Sequence, residues 1–280
     1  MPSSPFSRPL GPIAAALWAA AVLVLYVLLA ELAMSIRPSI AGDGMASALL
    51  YTAAALSVVF AVAQVHGPEA ELSEIVAARS LGFAPLLIAA TAGAAAYLPL
   101  SMFERWVLLR YPDPQRSADI AQALSAVTHG SRVVGTLALA LVAPLADEIL
   151  FRGALFHGVL RKEGRSVATV STTLGFALVS TAFLPKLMPL YIVLGLCLAH
   201  ARATTGSMLA AAALHLGYRG VELATTYRAF GTIDPISTGD APTRVAPAVA
   251  VGAGLLALAL LALLGRVGEG EPVAAGDGEA

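Results

Sequence analysis

The chain has 280 residues, of which 58% are hydrophobic and only 12% are charged, and its mean hydropathy is +0.79. Soluble globular domains carry about 25% charged residues, so this composition excludes an ordinary soluble domain and indicates a membrane protein. The net charge of −1 gives no reason to expect a nucleic-acid partner. Because Cys197 is the single cysteine, a disulfide framework and a zinc site built from several thiolates are both excluded.

Apolar segments follow one another along the chain and predict about eight membrane-spanning helices, since a crossing takes roughly 20 apolar residues. The first predicted span, 13–32, is longer than the apolar core of a cleavable signal peptide, so we expect an uncleaved helix. The other predicted spans are 46–65, 84–103, 133–156, 167–184, 188–201, 207–226 and 245–264. The sixth of the eight, 188–201, is short for a crossing.

The connections between these segments are polar. Residues 68–82 contain three glutamates among apolar residues and are predicted to lie at the membrane interface without crossing it. The two prolines of Tyr111–Pro114 predict a loop. The Gly-rich, acidic segment 266–280 is predicted to be a disordered tail, and 1–265 a single transmembrane domain. The predicted fold is therefore an all-α polytopic bundle, expected in the plasma (inner) membrane. Lysines and arginines are divided almost equally between its two sides, which leaves the orientation undecided.

An acidic pair interrupts the fourth apolar segment. Asp147 and Glu148 stand beside Arg152 at a depth where charge is expensive, which marks a candidate functional site. Glu148 and Arg152 are four residues apart and are predicted to pair on one helix face. Asp147 lies about 100° around the helix and can face a cavity, while Pro144 predicts a kink. The cluster suits either water activation by the freer carboxylate or an ion pair that only fixes helix packing.

A histidine on the seventh segment is a second candidate. The small residues that precede His215 allow close helix packing, so its imidazole is expected near another buried helix. His215, Arg219 and Glu222 are spaced to share one helix face. The pattern is compatible with a catalytic histidine and equally with a packed one.

The order of these motifs resembles the CPBP intramembrane proteases, a family that includes the type II CAAX prenyl endopeptidases. The sequence APLADEILFRG at 143–153 resembles the first family motif, GFALVS at 175–180 the second, and GL at 195–196, TTGS at 204–207 and HLGYR at 215–219 the third region. The resemblance covers about 136–220. It implies a helical membrane fold and an endopeptidase in which Asp147 is the base, Glu148 and Arg152 are an orienting pair, and His215 is a metal ligand or a transition-state donor.

The sequence departs from the family pattern at three positions. Asp147 replaces the first glutamate, Ser180 replaces the second-motif histidine, and Arg219 stands where an asparagine or a similar polar residue is usual. A serine hydroxyl is neither a base near neutral pH nor a good metal ligand, so this ligand set does not support a divalent metal such as zinc. Arg219 can pair with Asp147 and weaken it as a base, or pair with Glu222 and leave Asp147 free.

The remaining histidines are not expected to replace the one missing at position 180. His157 is poorly directed toward either carboxylate on an ideal helix, and His200 lies near the end of the sixth span. His66 and His129 fall in predicted connections, where we expect solvent exposure.

Two functions follow from these observations. The first is an intramembrane endopeptidase acting on membrane-associated peptides or proteins. The second is a noncatalytic relative that binds membrane partners and keeps Asp147, Glu148, Arg152 and Arg219 as a buried ion network, which would unfold readily if one charge lost its partner. Buried charges and broken helices also serve solute transporters, a third alternative.

Overall fold

The computed structural model describes residues 8, 10–40, 44–112, 141–182, 184–226 and 246–268. The regular secondary structure of these residues is entirely helical, which confirms the predicted all-α class. The helices, in chain order, are α1 Pro12–Ile36, α2 Gly44–His66, α3 Leu72–Ile75, α4 Phe83–Arg110, α5 Ala143–Glu148, α6 Phe156–Glu163, α7 Arg165–Ser180, α8 Met188–Thr205, α9 Met208–Thr226 and α10 Pro247–Gly268. A π-helical segment, Ile149–Leu155, joins α5 to α6 without a break.

Five helical segments of the described part of the chain are long and apolar enough to cross a membrane, so the protein is an integral membrane protein. They are Pro12–Ile36, Met45–His66, Phe83–Arg110, Pro185–Thr205 and Pro247–Val267. The predicted sixth span, 188–201, was too short, because a 3₁₀ turn at Pro185–Leu187 and four further residues extend that helix to 21 residues. The total of eight spans remains a prediction.

The predicted interface segment, 68–82, contains only the one-turn helix α3. Part of the predicted fourth span and of the loop after Tyr111 lies outside the described residues. Of the predicted tail, 266–268 belong to α10, and the rest also lies outside them.

Helices α4 and α9 approach each other so closely that their backbones touch. A Cβ atom on Gly93 would lie 1.9 Å from the carbonyl oxygen of Leu214, and one on Gly217 would lie 2.0 Å from that of Ala90. Small residues allow such contact inside a membrane, where helices associate through close packing. Since Leu214 and Gly217 flank His215, this contact fixes the position of the candidate histidine.

The connection between α8 and α9 is a left-handed turn at Gly206, whose φ is +69° and whose N–H donates to the carbonyl oxygen of Arg202 at 3.1 Å. Ser207 follows, and its hydroxyl donates to the carbonyl oxygen of Arg79 at 2.6 Å and accepts from the N–H of Leu209 at 3.2 Å. The Thr-Gly-Ser sequence therefore begins α9 and ties it to the segment before α4.

The backbone around the acidic pair departs from α-helical geometry. Residues 141–142 and Ile149–Leu155 adopt the wider π turn on either side of α5, in which Pro144 is the second residue. π turns inside α-helices are frequent at functional sites. The second one brings Gly153 against the segment after α3, where a Cβ atom on Gly153 would lie 2.9 Å from Cβ of Val76. The π turns thus lie on both sides of the acidic pair, in the part of the helix where Pro144 predicts a kink.

Candidate active site

Glu148 lies at the centre of a buried charged cluster. Its Oε1 is 2.8 Å from Nδ1 of His215, and its Oε2 is 3.5 Å from Nε of Arg152. All three side chains are fully buried. Three of the four residues predicted as catalytic therefore meet in one cluster, and the carboxylate of Glu148 faces a positive or polarised group on each side.

Arg152 is held by two further helices. Its Nη2 donates to the carbonyl oxygen of Gly195 in α8 at 3.0 Å, and its guanidinium carbon lies 4.3 Å from the ring centroid of Phe176 in α7. A Cβ atom on Gly195 would lie 3.2 Å from the Phe176 ring and 3.4 Å from Nη2, so glycine leaves the room that the guanidinium occupies. Phe176 also packs edge-on against His215, with ring centroids 5.9 Å apart. One aromatic ring thus supports both partners of Glu148.

Asp147 occupies a different environment from its neighbour. The residue is buried, with 8% exposure, and its Oδ1 accepts a hydrogen bond from the hydroxyl of Tyr51 in α2. The charges of His215 and Arg219 act on the carboxylate, but neither residue forms an ion pair with it in the described part of the chain. The two adjacent carboxylates therefore have different partners. Glu148 lies in an ion network, and Asp147 accepts a hydrogen bond from a neutral hydroxyl.

The other two residues that depart from the family pattern lie apart from the contact of Tyr51 with Asp147. Arg219 pairs with Glu222, with Nη1 and Oε2 2.6 Å apart and side chains 25% and 30% exposed. Ser180 is the half-buried last residue of α7. Among the described residues, the hydrogen bonds of Asp147 and His215 do not include it. Of the two predicted alternatives for Arg219, the structure thus has the one that leaves Asp147 outside an ion pair.

The other histidines serve elsewhere in the fold. Nε2 of His157 accepts from Nε of Arg161 at 3.4 Å, and Nε2 of His200 lies 3.3 Å from the carbonyl oxygen of Leu261. The expectation that His66 is exposed is wrong. It ends α2, is only 9% exposed and accepts a hydrogen bond from Nε1 of Trp18 at 3.1 Å, because α2 extends to this residue and packs against α1.

His129, the other histidine predicted to be exposed, lies outside the described residues.

A metal ion does not fit the donor atoms of this site. Within the described ranges, no group of three or more His, Cys, Asp or Glu side chains is arranged to hold one. His215 could offer only Nε2, since its Nδ1 faces Glu148, and Ser180 offers a hydroxyl, a poor ligand for zinc, where a second histidine would be needed. The chemistry proposed below therefore uses no step through a metal.

Sequence reasoning missed three residues of the cluster. Tyr51 lies 96 residues from Asp147 and outside the recognised motifs, so only a tyrosine in an apolar span could have drawn attention to it. Phe176 and Gly195 fall inside motifs, but their contacts with Arg152 follow from the packing of α7 and α8. The missed residues are those whose role depends on which helices are neighbours.

Comparison with known proteins agrees with this architecture. Residues 129–221 match the family model described as type II CAAX prenyl endopeptidase Rce1-like, over about a third of the chain. The matched part contains the acidic pair, Arg152 and His215. The match supports the resemblance of this part of the chain to the CPBP, or CAAX protease, family that its motifs predict. No curated protein and no solved structure matches the chain.

Proposed function

We propose that this CAAX protease-like membrane protein is an intramembrane endopeptidase that hydrolyses a peptide bond in membrane-associated peptides or proteins of the plasma (inner) membrane. The observation that carries the proposal is the unequal environment of the two carboxylates. Glu148 lies between Arg152 and His215, whereas Asp147 accepts a hydrogen bond from the neutral hydroxyl of Tyr51 and forms no ion pair within the described residues.

Asp147 is the better base because its carboxylate lies outside an ion pair within the described residues. A base must lie within hydrogen-bond distance of the proton that it accepts, and both oxygens of Glu148 already face Arg152 or His215. The Tyr51 hydroxyl occupies Oδ1 of Asp147 and leaves Oδ2 for water. The pairing of Arg219 with Glu222 weakens the effect of its positive charge, which opposes proton uptake by Asp147.

His215 is suited to stabilise charge in the transition state. Because Nδ1 faces a carboxylate, it carries a hydrogen, and Nε2 is buried without a hydrogen-bond partner. When Nε2 also carries a hydrogen, the ring is positively charged and faces the Glu148 carboxylate. Its Nε2–H can then donate to the oxygen of a carbonyl under attack, as donors of an oxyanion hole do.

In the proposed reaction, Asp147 accepts a proton from water while the water oxygen forms a bond with the carbonyl carbon. The negative charge that develops on the carbonyl oxygen is stabilised by Nε2–H of His215. Asp147 then gives its proton to the amine nitrogen as the carbon–nitrogen bond breaks, which leaves a carboxylic acid and an amine. Glu148 and Arg152 position His215 and take no proton.

A second function, a noncatalytic relative that binds membrane partners, is favoured by one observation. Ser180 stands where the family has a histidine, and no other histidine of the described residues bonds to Asp147. In that case the buried cluster of Glu148, Arg152 and His215 only holds α5, α8 and α9 together. Removing one charge would leave the others buried without a partner.

The test is proteolysis by the purified full chain in liposomes against a library of membrane-anchored peptides that includes prenylated CAAX sequences. We expect cleavage by the wild type, loss of cleavage in Asp147→Asn, and a loss of about 100-fold or more in His215→Ala, the size seen for one oxyanion donor. Glu163→Gln, on the surface at the end of α6, is the charge-matched control and should cleave like the wild type.

The yield and thermal unfolding of each variant are measured beside its activity. Asn is nearly isosteric with Asp and still accepts the Tyr51 hydrogen bond, so Asp147→Asn should fold normally and separate chemistry from stability. If the folded wild type cleaves no member of the library, or if Asp147→Asn cleaves as fast as the wild type, the noncatalytic function replaces the proposal.

A further inference from the structure

An arginine cluster lies beside the π-helical segment that follows the acidic pair. We define it as Arg79, before α4, Arg161, near the end of α6, and Arg202, in the last turn of α8. The charges of all three act on the buried imidazole of His157, and that of Arg79 acts on Arg202. The hydrogen bond from Ser207 to the Arg79 carbonyl and that from Arg161 to His157 fix the backbone and side chains around the cluster.

Arg202 is the buried member and lacks a counter-charge. Its side chain is 3% exposed, its Nε donates to the carbonyl oxygen of Arg152 at 2.9 Å, and its guanidinium carbon lies 5.2 Å from the ring centroid of Phe156. Within the described residues it forms no ion pair with a carboxylate, and the hydrogen bond of its guanidinium is made by Nε. Glu163, the carboxylate that follows Arg161 in α6, is paired with Lys162 at 3.4 Å.

These features fit a phosphate group. A buried cation with other cations as its charged neighbours is costly unless an anion compensates it. A guanidinium presents parallel donors that match phosphate oxygens, and Nε of Arg202 already has its own partner, so the terminal pair is left for a ligand. The apolar helix that carries Arg202 ends at Thr205, so we expect the cluster to lie at the level of the lipid headgroups.

We propose that Arg79, Arg161 and Arg202 form a binding site for the phosphate group of an anionic membrane lipid. Arg202 donates from within the bundle, and Arg79 and Arg161 close over the phosphate from the surface. The bound lipid compensates the buried charge of Arg202 and holds the end of α8, whose carbonyl groups begin the turn into α9, against the segment before α4.

The proposal is tested by thermal unfolding of the full chain in detergent with short-chain phosphatidylglycerol, short-chain phosphatidylcholine or inorganic phosphate. We expect phosphatidylglycerol to raise Tm by about 2–4 °C and phosphatidylcholine to leave it unchanged. The double variant R79A/R161A should lose the shift, while its surface side chains leave the Arg202–Arg152 hydrogen bond intact. Arg110→Ala, at the other end of α4, removes the same kind of exposed charge and should keep the shift.

The measurements with inorganic phosphate and with a shortened chain identify the source of the anion. An equal shift with inorganic phosphate would overturn the assignment to a lipid, because a free anion would then be sufficient. A shift that appears only after removal of residues 269–280 would overturn it too, since the acidic end of the chain would be the natural occupant. An unchanged shift in R79A/R161A would show that the lipid binds elsewhere.

Discussion

The hydroxyl of Tyr51 in α2 donates a hydrogen bond to Asp147 in α5, so a residue outside the family motifs holds the carboxylate that we propose as the base. The ring of Tyr51 is itself packed edge-on against Tyr26 of α1, with centroids 6.1 Å apart. Helices α1 and α2 thus contribute to a site whose recognised motifs all lie after residue 140. In the proposed enzyme, Tyr51 is a positioning residue that acts through Asp147.

The first prediction concerns Tyr51→Phe. Loss of a hydrogen bond to a charged group costs about 1.5–3 kcal/mol, so we expect kcat to fall about 10- to 100-fold with little change in KM, because the substrate does not touch Tyr51. The measurement is steady-state cleavage in liposomes. Tyr26→Phe, which removes a hydroxyl bonded to Ser47 at 2.6 Å, is the matched control and should keep kcat. Equal losses in both variants would contradict a specific role for Tyr51.

The second prediction concerns the buried ion pair. Arg152→Met leaves Glu148 with one partner fewer in a fully buried position, and we expect a loss of about 3–5 kcal/mol in the free energy of unfolding. The double variant E148Q/R152M removes both charges and should recover part of that loss. Denaturant unfolding in detergent measures both. A double variant no more stable than Arg152→Met would contradict the ion pair as the cause.

The third prediction concerns the contact of α4 with α9. A methyl group at Gly93 or Gly217 would overlap a carbonyl group of the facing helix, so Gly93→Ala and Gly217→Ala should each lower Tm and force the helices apart. Gly220→Ala, also on α9, is the control, because a Cβ atom there meets nothing within 4 Å. It should raise stability slightly, by up to about 1 kcal/mol, since alanine favours a helix over glycine. Thermal unfolding measures the three Tm values. A Tm for Gly93→Ala or Gly217→Ala as high as that of Gly220→Ala would contradict the prediction.

The fourth prediction concerns the pair of Arg219 with Glu222. Glu222→Gln removes the carboxylate that neutralises Arg219, whose charge already acts on Asp147. The freed cation should favour ionised Asp147 and make it a weaker base, so turnover should fall. The double variant R219N/E222Q removes the cation as well and should restore turnover. If Glu222→Gln and the double variant lose activity equally, the effect comes from packing and not from charge.

Much of the fold could be predicted from the sequence because membrane-spanning helices satisfy their own backbone hydrogen bonds and need a long apolar segment. The all-α class and the approximate limits of α1, α2, α4 and α10 follow from local composition alone. The pairing of Glu148 with Arg152 also follows, since four residues in one helix bring two side chains together wherever the helix lies.

Tertiary structure decided what the sequence left open. Helical spacing allowed Arg219 to pair with Glu222 in the same helix, but whether Asp147 would lie closer to Arg219 depended on how α9 packs against α5, which the sequence does not give. Nor could it find Tyr51, which meets Asp147 only because α2 packs against α5. Short spacings along one helix are fixed by helical geometry, whereas contacts between distant helices depend on packing that no local pattern encodes.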